Sequence, residues 1–268
     1  MPNSPVTISI ENNIALVTLN KAEKRNALDI EMFKTLDKVS KDLRKNTLLR
    51  AVIVNANGED FCSGLDIKSV LSNKSSALSL LFKWLPGQAN LAQRVSNNWR
   101  KIPVPVIMAI HGRCWGGGLQ IALGGDFRIA NEQASFSVME GKWGLIPDMG
   151  GNLVLREILA KDIALKLTMT AEVISAEAAL NYGLITEINN QPLQASYALA
   201  QQISERSPDS VAAVKKLYHS NWVKADWVML AKESYYQIKV LLGKNQKIAV
   251  KKQLKPEQSN EYLARKKW

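Results

Sequence analysis

Cysteine is scarce in this sequence: Cys62 and Cys114 are the only two among 268 residues. Two cysteines exclude a disulfide framework and a thiolate-built zinc cluster, and they suit a reducing compartment. Long apolar runs are also missing, since none approaches the roughly 18 residues that span a bilayer. The opening residues, Met1-Pro-Asn-Ser-Pro5, lack the charged-then-apolar pattern of a secretory signal and the Arg-rich pattern of a transit peptide. Arg265-Lys-Lys-Trp268 is not a Ser-Lys-Leu type address. The glycines of 112–118 have neither Gly-x-Gly-x-x-Gly spacing nor a P-loop lysine, which leaves a nucleotide-phosphate motif unsupported. The expectation is a soluble, cytoplasmic, globular protein without a metal site or a membrane partner.

Acid is in deficit too. Asp and Glu number 24 against 35 Lys and Arg, a net charge of +11. The surplus gathers near the C-terminus as Lys244, Lys247, Lys251, Lys252, Lys255, Lys266 and Lys267. A solvated helical face explains it, and so does a phosphate-rich ligand or nucleic acid; composition leaves both open. With 46% hydrophobic and 22% charged residues, the chain holds enough apolar material for a large core.

Val6–Ile10 and Ile14–Leu19, split by Glu11-Asn-Asn13, read as a hairpin. Asn26 fits the N-cap of an amphipathic helix running to about residue 45, with Leu28, Met32, Phe33, Leu36, Val39 and Leu43 on one face. Ala51–Val54 and Val104–Ile110 read as strands, 117–124 as a helix, 126–130 and 134–138 as strands, and 152–159 as a helix. Residues 69–100 show no steady period and fit a flap over a pocket or a packing contact. From Ser175 the chain reads as helical, with Leu184–Ile188 as a last strand and a break at Arg206-Ser-Pro208. Alternating strands and helices give the α/β class. The division expected is a core over 1–205 and a helical segment over 206–268.

The chemistry concentrates between His111 and Gly151. Gly116-Gly-Gly118 stands directly before an apolar helical run, so bare backbone N–H groups open a helix there and suit a negatively charged oxygen. A second glycine turn, Asn57-Gly58 to Gly64-Leu65-Asp66-Ile67, leaves the buried strand 51–54. Two such turns aimed together place one N–H each on a single oxygen. Glu140 and Asp148 lie in a segment broken by Gly144, Pro147 and Gly150, which supplies proton-moving groups beside that oxygen.

These residues resemble those of the crotonase superfamily, the enoyl-CoA hydratase/isomerase family. The resemblance runs through Lys24-Arg-Asn-Ala-Leu28, Phe61-Cys-Ser-Gly-Leu-Asp-Ile67, Ala109-Ile-His-Gly112, Gly116-Gly-Gly118 and Asp126-Phe-Arg-Ile-Ala130. It continues through Gly144-Leu-Ile-Pro-Asp-Met-Gly-Gly151 and Ser175 to Leu184. It implies a spiral of repeated ββα units and a C-terminal helical segment used to form a homotrimer or a dimer of trimers. It also implies an acyl-CoA thioester as substrate, with coenzyme A as part of that substrate and no separate cofactor. The backbone N–H groups of Leu65 and Gly117 would form an oxyanion hole. Because those donors are main chain, leucine at 65, where small residues are common in the family, is tolerated. Arg25, Ala27, Ser63, Gly64, Asp66, Ile67, Trp115 and Gly116 would line the substrate path, although Arg25 also reads as an ordinary exposed arginine.

Hydratases of the family use two glutamates, and this chain has Gln120 at the first of those places and Glu140 at the second. An amide cannot deliver a proton as a carboxylic acid does. The pattern with Glu140 alone resembles the members that shift a double bond, and an aspartate at the place of Asp148 resembles dienoyl-CoA isomerases. Asp148 also reads as a cap for the helix near Gly151, and Glu140 as half of an ion pair. The expected activity is enoyl-CoA or dienoyl-CoA isomerisation. Hydration by Glu140 alone, attack by Asp148 as in dehalogenating relatives, and a non-catalytic RNA-binding role for the lysine-rich tail are the alternatives. His111 reads as a satisfied core histidine, His219 as lacking a partner, Cys62 and Cys114 as inert, and Trp84, Trp99, Trp115 and Trp143 as mostly core, with Trp115 and Trp143 also suited to wall an acyl pocket.

Overall fold

The computed structural model describes residues 4–71, 74–258 and 260–267. The readings placed on Met1–Asn3, Ser72–Asn73 and Trp268 lie outside the described residues.

The chain opens as a hairpin, β1 (Val6–Glu11) and β2 (Ile14–Leu19), paired antiparallel with Glu11 opposite Ile14. Asn12 and Asn13 make the two-residue turn at φ 50° and 64°, the positive-φ geometry that matches strand twist and that asparagine tolerates. Helix α1 (Ile30–Lys45) follows, with Met32, Phe33, Leu36, Val39 and Leu43 buried. Its N-cap is Asp29, which accepts from Met32 N at 2.9 Å, and not Asn26. Asn26 is instead fully buried, bonding Lys21 N, Asn57 O and Asp60 O. It pins two loops together.

Strand β3 (Ala51–Ala56) runs parallel to β2 and to β4 (Val106–Ile110). Its apolar run is explained by burial on both faces: Val52 and Val54 enter the main core, while Ala51 and Ile53 join a second cluster with Ile107, Ala109 and Ile129. Between β3 and β4 lie α2 (Ile67–Leu71), α3 (Lys74–Leu81) and α4 (Leu91–Lys101). The expectation of an aperiodic 69–100 is therefore corrected. Leu91, Ala92, Val95, Ser96 and Trp99 form one buried face of α4, and Asn90 with Gln93 makes a reciprocal capping box. Trp84, expected in the core, is 84% exposed.

Next come β5 (Arg113–Trp115), α5 (Gly117–Leu123), β6 (Phe127–Ala130) and β7 (Ser135–Ser137). Then follow α6 (Asn152–Ile158), α7 (Lys161–Thr170), β8 (Ile174–Ser175), α8 (Ala176–Asn181) and β9 (Glu187–Ile188). The strands form a six-stranded sheet, β1-β2-β3-β4-β6-β9, and a three-stranded sheet, β5-β7-β8. The expected last strand shortens to two residues, and α7 was not anticipated. Helix α9 (Pro192–Ser204) covers the outer face of the large sheet, and α10 (Pro208–Asn221), α11 (Asp226–Leu241) and α12 (Lys244–Leu254) complete the chain. Proline at the first position of α10 gives the break read at 206–208 its physical cause.

A buried ion network fastens α10 to the core. Lys215 Nζ lies 2.6 Å from Asp126 Oδ2 and donates to the carbonyls of Trp99 and Val104. His219, expected to lack a partner, lies 2.6 Å from Asp126 Oδ1. No helix among the described residues is long and apolar enough to cross a membrane.

Candidate active site

The site is built where the two sheets meet. The chain leaves β3 into the 57–66 turn, and a two-hydrogen-bond bridge lays that turn against β5: Cys62 N donates to Arg113 O at 2.9 Å and Trp115 N to Cys62 O at 3.0 Å. Leu28 clamps the other side, its N–H bonding Gly64 O and its carbonyl accepting from Asp66 N. Gly64, at φ +100°, then comes so close to the second turn that an added methyl would lie 3.0 Å from Trp115 O and 3.5 Å from Gly117 N. Only glycine serves at that position. The turns that carry Leu65 and Gly117 are thereby brought together on one cavity, and among the described residues neither N–H has a hydrogen-bond partner.

Strand β7 brings the acid. Ser137 O accepts from Gly116 N at 2.8 Å, and the 3-10 helix Met139–Trp143 that follows β7 carries Glu140 over the glycines. A methyl on Gly116 would sit 3.7 Å from Glu140 Oε1. Oε1 accepts from Gln120 Nε2 at 2.5 Å, whereas Oε2 is buried and unpartnered among the described residues. Burial raises the Glu140 carboxyl above the ordinary glutamate range; hydrogen bonds from its own backbone and from Gln120 oppose the rise, and the Asp148 charge adds to it. No ion pair to Glu140 is present among the described residues. Asp148 stands exposed at the rim, with enough protein around its carboxyl to raise it as well. It does not cap α6, whose N-cap is Gly151 without a side-chain bond.

Both acids and both turns line one cavity of about 550 Å³. Of the residues singled out in the sequence, Arg25, Ser63, Gly64, Leu65, Ile67, Trp115, Gly116, Gly117, Glu140 and Asp148 line it. Gln120 lies beneath, 2% exposed. Ala27 and Asp66 are not lining residues. Ala27 belongs to the strand-like clamp around Leu28, and Asp66 receives Ser69 N at 3.0 Å at the start of α2. Val70, Leu80, Leu81 and Ala92 also line it, from the 69–100 segment read as a flap over a pocket or a packing contact; the walls the sequence did not disclose are Phe33, Met139, Leu145, Ile146 and Met149, with Arg113 and Lys142 as added cations. The helical spacing of Phe33 and Ala92 was a signal, but it names a buried face and not what that face encloses. Trp115 and Trp143 both line the cavity, Trp143 being 60% exposed.

The remaining candidates lie outside this chemistry. Cys62 and Cys114 are wholly buried, and burial pushes the Cys62 thiol up to about 12 and Cys114 well above its ordinary value; neither forms a thiolate nucleophile. His111 is half-buried at a turn instead of in the core, with Nε2 3.0 Å from Gly58 O. Arg25 sits at φ 52° with its side chain 62% exposed and 3.9 Å from Asp60.

Comparison with known proteins agrees with this architecture. The chain is 34% identical to the (E)-benzylidenesuccinyl-CoA hydratase of Thauera aromatica over 216 residues, 79% of this chain and 81% of that one. It is 31% identical to the carnitinyl-CoA dehydratase of Salmonella typhi over 207 residues, 76% of each. The crystal structure of an enoyl-CoA hydratase from Polaromonas sp. JS666 matches with a TM-score of 0.85 at 25% identity, covering 96% of this chain and 99% of that one. An enoyl-CoA hydratase from Bacillus anthracis shares the fold with a TM-score of 0.86 at 24% identity, covering 96% and 98%. The enoyl-CoA hydratase/isomerase family model matches residues 9–255, and the chain belongs to that family, within the crotonase superfamily.

Proposed function

We propose that this enzyme moves a double bond along the acyl chain of an enoyl-CoA or dienoyl-CoA thioester. In this reading the thioester oxygen accepts from the N–H groups of Leu65 and Gly117. Glu140 removes a proton from the α-carbon of a 3-enoyl-CoA. The freed electron pair spreads into a dienolate whose negative charge rests on that oxygen. The protonated Glu140 then returns its proton to the carbon at position 4, the carbonyl re-forms, and the double bond lies between carbons 2 and 3. Preorganised donors at the developing charge contribute most of such an acceleration, and a carboxyl with a raised pKa suits a proton that must go both ways. The apolar walls fit the acyl chain, and Arg25, Arg113 and Lys142 fit the phosphates of coenzyme A.

One observation carries the reading. Among the described residues the proton-carrying group beside Gly116 is Glu140 alone, with Oε2 buried and unpartnered, while the neighbouring Gln120 has no proton to give. The test is conversion of 3-enoyl-CoA thioesters by wild type and Glu140→Gln; equal rates eliminate the base. A second reading, hydration or dehydration of a 2-enoyl-CoA, is favoured by the names of the two relatives and by Asp148 as a second carboxylate lining the same cavity. A substrate panel scored for both water addition and double-bond migration separates the two, and Gln120→Glu raises hydration sharply if the second holds.

The C-terminal helices support assembly. Trp222, Trp227, Leu230 and Leu242 are each more than half exposed, apolar surface that contact with another subunit would cover. Sedimentation is expected to give a trimer or a dimer of trimers; a monomer refutes this.

A further inference from the structure

Three hydrogen bonds converge on one amide. Gln120, in the first turn of α5, accepts at Oε1 from Met149 N at 2.9 Å and from Gly151 N at 3.2 Å. Two donors at one end identify that end as the carbonyl, so the other end is the NH₂. The NH₂ donates to Glu140 Oε1 at 2.5 Å. Rotation is blocked: reversing the amide would set its NH₂ against two backbone N–H groups. Packing is equally close, since a methyl on Gly151 would fall 3.0 Å from Gln120 Cγ.

We propose that Gln120 is a positioning residue that confines the mobile proton of Glu140 to a single atom, Oε2. This rests on the reading of Glu140 as the proton carrier. Oε1 always faces a donor, so it serves as a carboxylate oxygen when Glu140 is ionised and as the carbonyl oxygen when Glu140 is protonated. The proton therefore resides on Oε2, the buried oxygen that has no protein partner among the described residues. A neutral amide also holds Glu140 toward its ionised form without adding a second titrating group. The same side chain ties the Asp148-bearing loop to α5 through Met149 and Gly151.

The charged groups lining the cavity with Glu140 are Arg25, Arg113, Lys142 and Asp148. Of these, Asp148 is the one whose charge acts on it. Helix α7, packed on the 139–143 segment, directs Lys166 to Glu172 at 3.1 Å instead. Substituting glutamate at 120 keeps an oxygen for both backbone donors but turns its second oxygen toward Oε1. Two acceptors at that separation hold together only by sharing a proton.

The experiment is a ¹³C NMR titration of full-length, substrate-free enzyme labelled at glutamate Cδ, with the Glu140 signal assigned by its loss in Glu140→Gln. Gln120→Glu is expected to raise the Glu140 midpoint by about one pH unit or more and to split the titration into two coupled steps. Gln120→Leu, which removes the donor, is expected to raise the midpoint in a single step. An unmoved midpoint in Gln120→Glu, with a thermal melt showing the variant folded, overturns the proposal. A merely structural glutamine would shift the melt and leave the midpoint where it was. Because no substrate is present, absence of isomerase turnover counts against the proposed reaction and not against this placement of the proton.

Discussion

Replacing Glu140 by glutamine should harm activity and relieve a pH-dependent loss of stability, and the two effects come from the same atoms. The amide keeps an oxygen to accept from Gln120 but cannot take up a proton, so isomerisation should fall by roughly a hundred- to ten-thousand-fold. Stability should move the other way as pH rises. Burial raises the folded-state pKa of Glu140 above its ordinary value of 4.5, so the folded protein binds its proton more tightly than the unfolded chain does. Below about pH 4.5 both states are protonated and the residue contributes nothing to the balance. As pH rises through the folded-state value, the unfolded chain is ionised more readily, and wild type loses about 1.4 kcal/mol for each pH unit of the shift. Glu140→Gln escapes that pH-dependent loss, while an amide N–H left at the Oε2 position, unpartnered among the described residues, costs about 1–3 kcal/mol at every pH. The melting temperature of the variant should therefore gain on that of wild type as pH rises from 4 to neutrality. Activity is read from the ultraviolet absorbance of the conjugated thioester, and stability from thermal melts at several pH values. A variant that turns over normally, or whose melting temperature gains nothing on wild type across that range, refutes the argument from burial.

Leu65→Pro removes an N–H that has no hydrogen-bond partner among the described residues. It should lower kcat by roughly a hundred- to a thousand-fold with little change in KM; a folded variant within tenfold of wild type sinks the oxyanion role. Lys215→Met leaves Asp126 buried with His219 and the Val106 N–H but without its lysine, and should cost about 3–5 kcal/mol in a urea melt, a value below 1 kcal/mol showing that the network contributes little. Burial alone would raise Asp126, but Lys215 and His219 outweigh it and hold its carboxyl below the usual 3.8. That contribution is present above pH 3.8 and is lost as pH falls through the lowered value, so Lys215→Met should also flatten the acid limb of the stability curve.

Strands β1 to β4, β6 and β7, with α1, α5 and both glycine turns, were legible because their signals are local: apolar runs, helical spacing, and glycine before a helix. The short strands β5 and β8 carry no such run and were not read. The misses share a different origin. Asn26 has the chemistry of a cap, but its partners Asn57 and Asp60 are distant in sequence, and burial among them outweighed the local preference. His219 found Asp126 across the fold, a pairing no spacing encodes. Trp84 is apolar by composition yet lies open to solvent, its ring meeting Phe82 edge to face. Helix α4 carried a regular buried face that the irregular stretch before it obscured. At the site, Glu140, Asp148 and the two turns could be named from sequence. That Gln120 hydrogen-bonds Glu140 through one end of its amide and the 148–151 loop through the other could not be, because it depends on which way an amide faces.

The grip of Lys215 also ties the end of the chain to parts distant in sequence. Its three acceptors come from the end of α4, the approach to β4 and the approach to β6, and Asp126 is itself fixed by Val106 N at 2.7 Å. A lysine charge opposes leaving water unless such partners surround it. The seating of α10 therefore depends on the pairing of those strands, and a defect at β4 or β6 should be felt in the C-terminal helices.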